Sequence, residues 1–198
     1  ERETNYTSGA FTPDGTQFAS STTSGNIILW DVETGDEIRQ FIGHERDIDG
    51  IDFNSTGTTL ASGSYDGTIR LWNVETGDEI QLMEGHTDRV NDVLFSPNDS
   101  RLLSSSWDGT VRLWDIETGE EIRTFLGHNG QTFGIDFSPD GQYIISGSSD
   151  TTVRLWDTET GQELRRLNGH GDWISEISFL NDGELVLSGA QDNTMRLW

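Results

Sequence analysis

Residues 43–84, GHERDIDGIDFNSTGTTLASGSYDGTIRLWNVETGDEIQLME, hold the pattern that decides the fold. Ile48 to Phe53 runs into the turn Asn54-Ser55-Thr56-Gly57, and Thr59 to Ser64 runs into Asp66-Gly67. Thr68 to Trp72 then leads through Glu75-Thr76-Gly77 to Glu79 and on to Met83. Each run has five or six residues, the usual strand length, and is bounded by Gly, Asn or Asp, which accept turn conformations. The stretch predicts four strands joined by hairpins. No segment of the chain carries apolar residues at helical spacing over ten residues.

The same stretch recurs along the chain. Trp30, Trp72, Trp114, Trp156 and Trp198 lie 42 residues apart, and Gly43-His44, Gly85-His86, Gly127-His128 and Gly169-His170 keep the same interval. The repeats run 1–42, 43–84, 85–126, 127–168 and 169–198, with the last outer strand missing. A lone four-stranded sheet cannot bury its faces, whereas sheets stacked face to face around an axis can. The expectation is an all-β chain, a β-propeller of four-stranded antiparallel blades. Nineteen strands leave one blade incomplete, which predicts one part of a larger, seven-bladed ring, and an unclosed blade edge open to self-association.

The Gly-His pairs, the Asp-Gly turns and the dipeptides Trp30-Asp31, Trp114-Asp115 and Trp156-Asp157, with Trp72-Asn73 a near match, make every repeat resemble the WD-repeat family of β-propellers. The resemblance implies a buried hydrogen-bonded network in each repeat: His44, Ser62, Asp66 and Trp72; His86, Ser104, Asp108 and Trp114; His128, Ser146, Asp150 and Trp156; His170, Ser188, Asp192 and Trp198. The first repeat departs from it, with Arg2 in the His position and Ser24 in the Asp position, so that only Ser20 and Trp30 remain.

Thirty-five acidic residues face twelve basic ones, all of them Arg, for a net charge of -23. Repulsion on that scale disfavours nucleic acid and anionic lipid and favours a partner with basic and apolar character. There is no cysteine, which fits a reducing compartment and a cytoplasmic location, and no apolar run reaches the roughly 18 residues of a spanning helix.

Ser, His and Asp together invite a catalytic reading, but a catalytic site is built once and this set occurs four times at one spacing. The run from Asp47 to Asp52 lacks the bidentate Glu of a calcium loop, its place being taken by Thr56, so neither metal nor cofactor is expected. Acids repeated in the hairpins between third and fourth strands, such as Asp31, Glu79, Asp115, Glu121, Asp157 and Glu163, read as a solvated rim.

Features that break the period are more informative. The residue before the turn Asp is Tyr65, Trp107, Ser149 or Gln191; the third after the His is Asp47, Arg89, Gln131 or Trp173; and the fifth is Asp49, Asn91, Phe133 or Ser175. The resemblance places these positions on one propeller face, around the central opening, where partners bind. Tyr65, Trp107, Phe133 and Trp173, with Asp47, Asp49 and Arg89, are therefore the candidate partner-binding residues of a protein-interaction scaffold or sensor module, one part of a signalling protein. The alternatives are an enzyme or small-ligand site in the central channel and a purely structural spacer.

Overall fold

The computed structural model describes residues 6–198, so the expected role of Arg2 lies outside the described residues. The chain is built from short antiparallel strands. The first repeat forms β1 (Tyr6–Phe11), β2 (Gln17–Thr22), β3 (Asn26–Asp31) and β4 (Glu37–Ile42), and the second β5 (Ile48–Phe53), β6 (Thr59–Ser64), β7 (Thr68–Asn73) and β8 (Glu79–Glu84). The third forms β9 (Val90–Phe95), β10 (Arg101–Ser106), β11 (Val111–Asp115) and β12 (Glu121–Phe125), and the fourth β13 (Thr132–Phe137), β14 (Tyr143–Ser148), β15 (Thr152–Asp157) and β16 (Glu163–Asn168). The last contributes β17 (Ile174–Leu180), β18 (Leu185–Ala190) and β19 (Met195–Leu197). β7 and β8 each extend one residue past their predicted ends, and a single 3₁₀ turn, Asn181–Gly183, replaces the tight turn expected between β17 and β18.

The chain divides into two compact units, Glu1–Phe95 and Ser96–Trp198. In the first, β1 to β4 form one sheet in chain order and β5 to β8 another, and β9 completes the unit. In the second, β13 to β16 form a four-stranded sheet and β17 to β19 a three-stranded one, while β11 pairs antiparallel with both β10 and β12.

Alternation puts every second residue of a strand on the same face, and sheets meet through those faces. In the first unit Ala19, Ile27, Leu29 and Phe41 of the first sheet pack on Ile51, Phe53, Leu60 and Trp72 of the second. The second unit repeats the layout 126 residues on: Ile145, Val153, Leu155 and Leu167 meet Ile177, Phe179, Val186 and Trp198. Half-buried carboxylates tie neighbouring first strands together, as Phe95 N donates to Asp52 Oδ2 at 2.8 Å and Phe179 N donates to Asp136 Oδ2 at 2.8 Å.

The tight turn after β14 carries local strain. Gly25, Gly67 and Gly109 hold the left-handed conformation there in the first three repeats, whereas the fourth has Thr151 at φ 70°. A β-branched residue at positive φ is a genuine outlier, with a cost on the order of 1 kcal/mol or more. Thr151→Gly is expected to raise stability by about 1 kcal/mol after allowing for the extra backbone entropy of Gly, read as a higher urea midpoint with unchanged slope.

Candidate interaction site

The tight turn of each repeat is the foundation on which the site stands. In the second repeat His44 Nδ1 lies 2.9 Å from Asp66 Oδ2, His44 Nε2 lies 2.8 Å from Ser62 Oγ, and Trp72 Nε1 donates to Ser62 Oγ at 2.8 Å. An ionised carboxylate only accepts, so Nδ1 carries the imidazole proton, Nε2 accepts from the serine hydroxyl, and the serine oxygen accepts from the indole. The relay recurs in the fourth repeat through Trp156, Ser146, His128 and Asp150 and in the fifth through Trp198, Ser188, His170 and Asp192. In the third, Trp114 Nε1 donates to Ser104 Oγ at 2.8 Å and Asp108 accepts from Thr110 N at 2.9 Å, while His86 is buried in the first unit. In the first repeat Trp30 Nε1 still donates to Ser20 Oγ at 2.8 Å, and Ser24 Oγ, in the Asp position, bonds Thr22 Oγ1 at 2.9 Å.

Each turn Asp gathers more donors than the sequence reading assigned it. Asp66 also accepts from Thr68 N at 2.9 Å, Thr68 Oγ1 at 2.6 Å and Glu45 N at 3.1 Å. Burial pushes the Asp66 and Asp150 carboxyls up, but the hydrogen bonds from His44 or His128 and from Thr68 or Thr152 outweigh it and hold both far below the usual carboxylate range. Hydrogen bonds from Thr194 and the Gly171 amide lower Asp192 in the same way.

A second periodic set went unread. Arg70, Arg112, Arg154 and Arg196 share the 42-residue spacing. Arg70 pairs with Glu79, Arg112 with Glu121 at 2.6 Å and Arg154 with Glu163 at 2.5 Å. The guanidiniums of Arg154 and Arg196 each lie 5.9 Å from the ring of the Trp two residues on. Packing this close to the ring explains the Gly of Gly-His, since a Cβ at Gly43 would sit 2.8 Å from Arg70 Nη1 and 2.9 Å from Trp72 Cη2. The hairpin acids are thus more than the solvated rim expected of them. The three Glu residues are ion-paired, and Asp31, Asp115 and Asp157 accept the backbone N–H of Thr34, Thr118 and Thr160.

The non-periodic candidates fall into one group per unit. In the first, the Arg89 guanidinium lies 4.3 Å over the Tyr65 ring, and the Asp47 carbonyl accepts from Tyr65 N at 2.8 Å. Burial raises the Asp49 carboxyl, with Asp47 adding to the effect, against a hydrogen bond from Tyr65 and the attraction of Arg89. Burial and the same carboxyl raise the Tyr65 hydroxyl.

In the second unit Trp107 meets Phe133 edge-on at 6.3 Å, and Phe133 stacks on Trp173 at 6.0 Å with 18° between the planes. Of the four candidate aromatics, Trp173 is exposed, at 48%, and Tyr65, Trp107 and Phe133 are half-buried. The reason is that they pack on one another and on Arg89.

Repeated sheets of short antiparallel strands, held at their tight turns in the second, fourth and fifth repeats by a Trp, Ser, His and Asp relay, define a WD-repeat β-propeller protein. Within that class, the sequence model of the IFT122 first β-propeller matches residues 5–198, and the chain belongs to that family. No curated protein matches the sequence. Among the described residues no helix is long and apolar enough to cross a membrane.

Proposed function

We propose that the chain is a non-enzymatic interaction module that binds a protein or peptide through its non-periodic aromatic groups, with Trp173 as the principal contact. The observation that carries this reading is the run Trp107, Phe133 and Trp173, three aromatics in contact at positions the other repeats fill with different residues. Aromatic side chains with one exposed face anchor interfaces because they remove much apolar area from water at little conformational cost.

The Tyr65, Asp49 and Arg89 group sets charge selectivity. With a net charge of -23, the chain favours a partner that pairs a basic side chain with an apolar one, since Trp and Tyr faces attract cations as well as apolar groups. The serine hydroxyls of the relays, Ser62, Ser146 and Ser188, are wholly buried, so the apparent triads have no access to a substrate. A reducing compartment such as the cytoplasm suits the cysteine-free chain, and a signalling assembly suits a binding surface without chemistry of its own.

The test uses a labelled peptide library combining Arg with aromatic and aliphatic residues. Peptides retained by the wild-type chain are expected to bind Trp173→Ala at least tenfold more weakly, and Trp107→Ala more weakly as well, with both circular dichroism spectra unchanged. Normal binding by both variants, or unfolding of both, overturns the assignment.

A further inference from the structure

The position two residues after the Trp holds Val32, Val74 and Ile116 in the first three repeats and Thr158 in the fourth. The backbone there is the same each time: Val74 N donates to Thr58 O at 3.0 Å, Ile116 N to Ser100 O at 3.2 Å and Thr158 N to Gln142 O at 3.0 Å. Only the side chain differs. Thr158 is 1% exposed, and among the described residues no group bonds its Oγ1. A buried hydroxyl without a partner costs free energy that a Val in its place would not. The fold gains nothing from it, since the other repeats place a hydrocarbon there.

Thr158 lines a cavity of about 230 Å³ within the second unit, together with Phe137, which is also buried. The cavity lies at the opposite end of β10 from the aromatic group: Arg101, in its wall, opens that strand, and Trp107 follows its last residue. Two arginines fix the segment that carries Thr158. Arg101 Nη1 donates to Glu159 Oε1 at 2.6 Å, and Arg123 donates to the Glu159 and Thr160 carbonyls at 2.6 and 3.2 Å.

The other lining groups divide into donors and acceptors. Asn98 Oδ1 already accepts from Ser96 Oγ and Ser100 Oγ, each at 2.8 Å, which leaves its Nδ2 to donate. Asp140 Oδ1 already accepts from Ser138 Oγ at 2.6 Å and Gln142 N at 3.0 Å, which leaves its Oδ2 to accept, and the Gln142 amide offers both functions. The equivalent recess between the first two repeats has Val74 in the Thr158 place and Asp14, which only accepts, in the Asn98 place.

We infer that the cavity at Thr158 is a binding site for a small neutral polyhydroxyl compound, a monosaccharide or a cyclic polyol. Its volume falls below the roughly 300–1,000 Å³ of pockets that enclose drug-sized ligands, so the occupant has the size of a single ring. Arg101 stands among Asp140 and Glu159 on a chain of charge -23, which repels an anion. A cation at the inner end would meet a hydroxyl and a phenyl ring in place of its water and find no countercharge there. A ligand hydroxyl both donates and accepts, which suits the mixed lining and gives Thr158 the partner that the protein withholds. The ring's C–H faces pack on Phe137.

The test is titration of the isotope-labelled chain with glucose, N-acetylglucosamine and myo-inositol, read as amide shifts in two-dimensional NMR spectra. At least one of the three is expected to move amides in 96–101, 140–142 and 158–160 saturably, leaving Trp173 in place, while glucose 6-phosphate moves none of them. Thr158→Val supplies the decisive pair of readings, because its two effects have opposite signs. It is expected to raise the urea midpoint, by removing the orphaned hydroxyl, and to weaken the binding by about tenfold, by removing the ligand's inner partner. Gln142→Ala, at an exposed position, is expected to weaken binding with the midpoint unchanged. Failure of all three compounds to shift these amides, equal binding by Thr158→Val, or a lowered midpoint in that variant overturns the inference, the last because the hydroxyl would then be serving the fold. Shifts produced by glucose 6-phosphate overturn it as well, since the site would then accept an anion.

Discussion

Asp150→Ala is expected to destabilise the second unit by about 3–5 kcal/mol, the range for leaving a buried charged or hydrogen-bonded partner uncompensated. The Asp150 side chain is 10% exposed. It accepts from His128 Nδ1 at 3.0 Å, Asn129 N at 3.0 Å, Thr152 N at 3.0 Å and Thr152 Oγ1 at 2.7 Å, with Arg154 Nη2 at 3.5 Å. Alanine orphans several of these donors at once and removes the acceptor that fixes the His128 tautomer, and with it the order of the relay through Ser146 to Trp156. Asp150→Asn restores an acceptor but adds an N–H₂ where donors already point, so it should recover only part of the loss. Urea unfolding read by tryptophan fluorescence gives both values, and a loss below about 1 kcal/mol for alanine would show that the relay contributes little.

The same carboxylates set an acid limit. Asp66, Asp150 and Asp192 have folded pKa values well below their ordinary ones, so as pH falls the unfolded chain takes up protons first. Their stabilisation is fully present above the unfolded carboxylate pKa of about 4 and is lost as pH falls through that value toward the depressed folded ones. Asp49 and Asp136, raised by burial, act in the opposite sense, at pH values above their ordinary carboxylate pKa. The urea midpoint of the wild type should therefore drop below about pH 4, and drop less in Asp150→Asn, which has lost one of the responsible groups.

What the sequence made legible was what it repeats. Strands, turns and relay residues recur at one interval, and the described strands begin and end within a residue of the positions read from residues 43–84. The Arg and Glu pairs of the third and fourth strands were equally periodic but went unread, because an acid in a hairpin is more often solvated than paired. Their signal was available in Arg70, Arg112, Arg154 and Arg196 at the spacing of the Trp residues. The aromatic site was legible only as a set of exceptions. Sequence gives the positions of Trp107, Phe133 and Trp173, but their mutual contact depends on how the loops before β11 and β17 converge on the start of β13, which no local pattern encodes. Thr151 was invisible for a similar reason, since a positive φ imposed on a β-branched residue follows from the turn its neighbours make.

The Trp at the end of the third strand offers a test in which the residue type is held fixed and only the surroundings change. Trp156 is fully buried; its ring meets Phe125 at 5.8 Å and His128 at 6.1 Å, and its indole nitrogen donates to Ser146 at 2.9 Å. Trp156→Ala removes all of this and opens a cavity that the surrounding strands cannot close, so a loss of about 3–5 kcal/mol is expected. Trp30 makes the equivalent bond to Ser20 at 2.8 Å, but it lies half-buried on the uncovered face of the first sheet. Alanine there forfeits one hydrogen bond and a smaller area, with no sealed cavity, and about 1–2 kcal/mol is expected for the dilute chain. If stability came chiefly from the single indole-to-serine hydrogen bond, the two substitutions would cost the same, since both remove that bond. A difference of about 2 kcal/mol or more in urea unfolding at low protein concentration assigns the larger share to the groups that surround the Trp156 ring, Phe125 and the His128 relay.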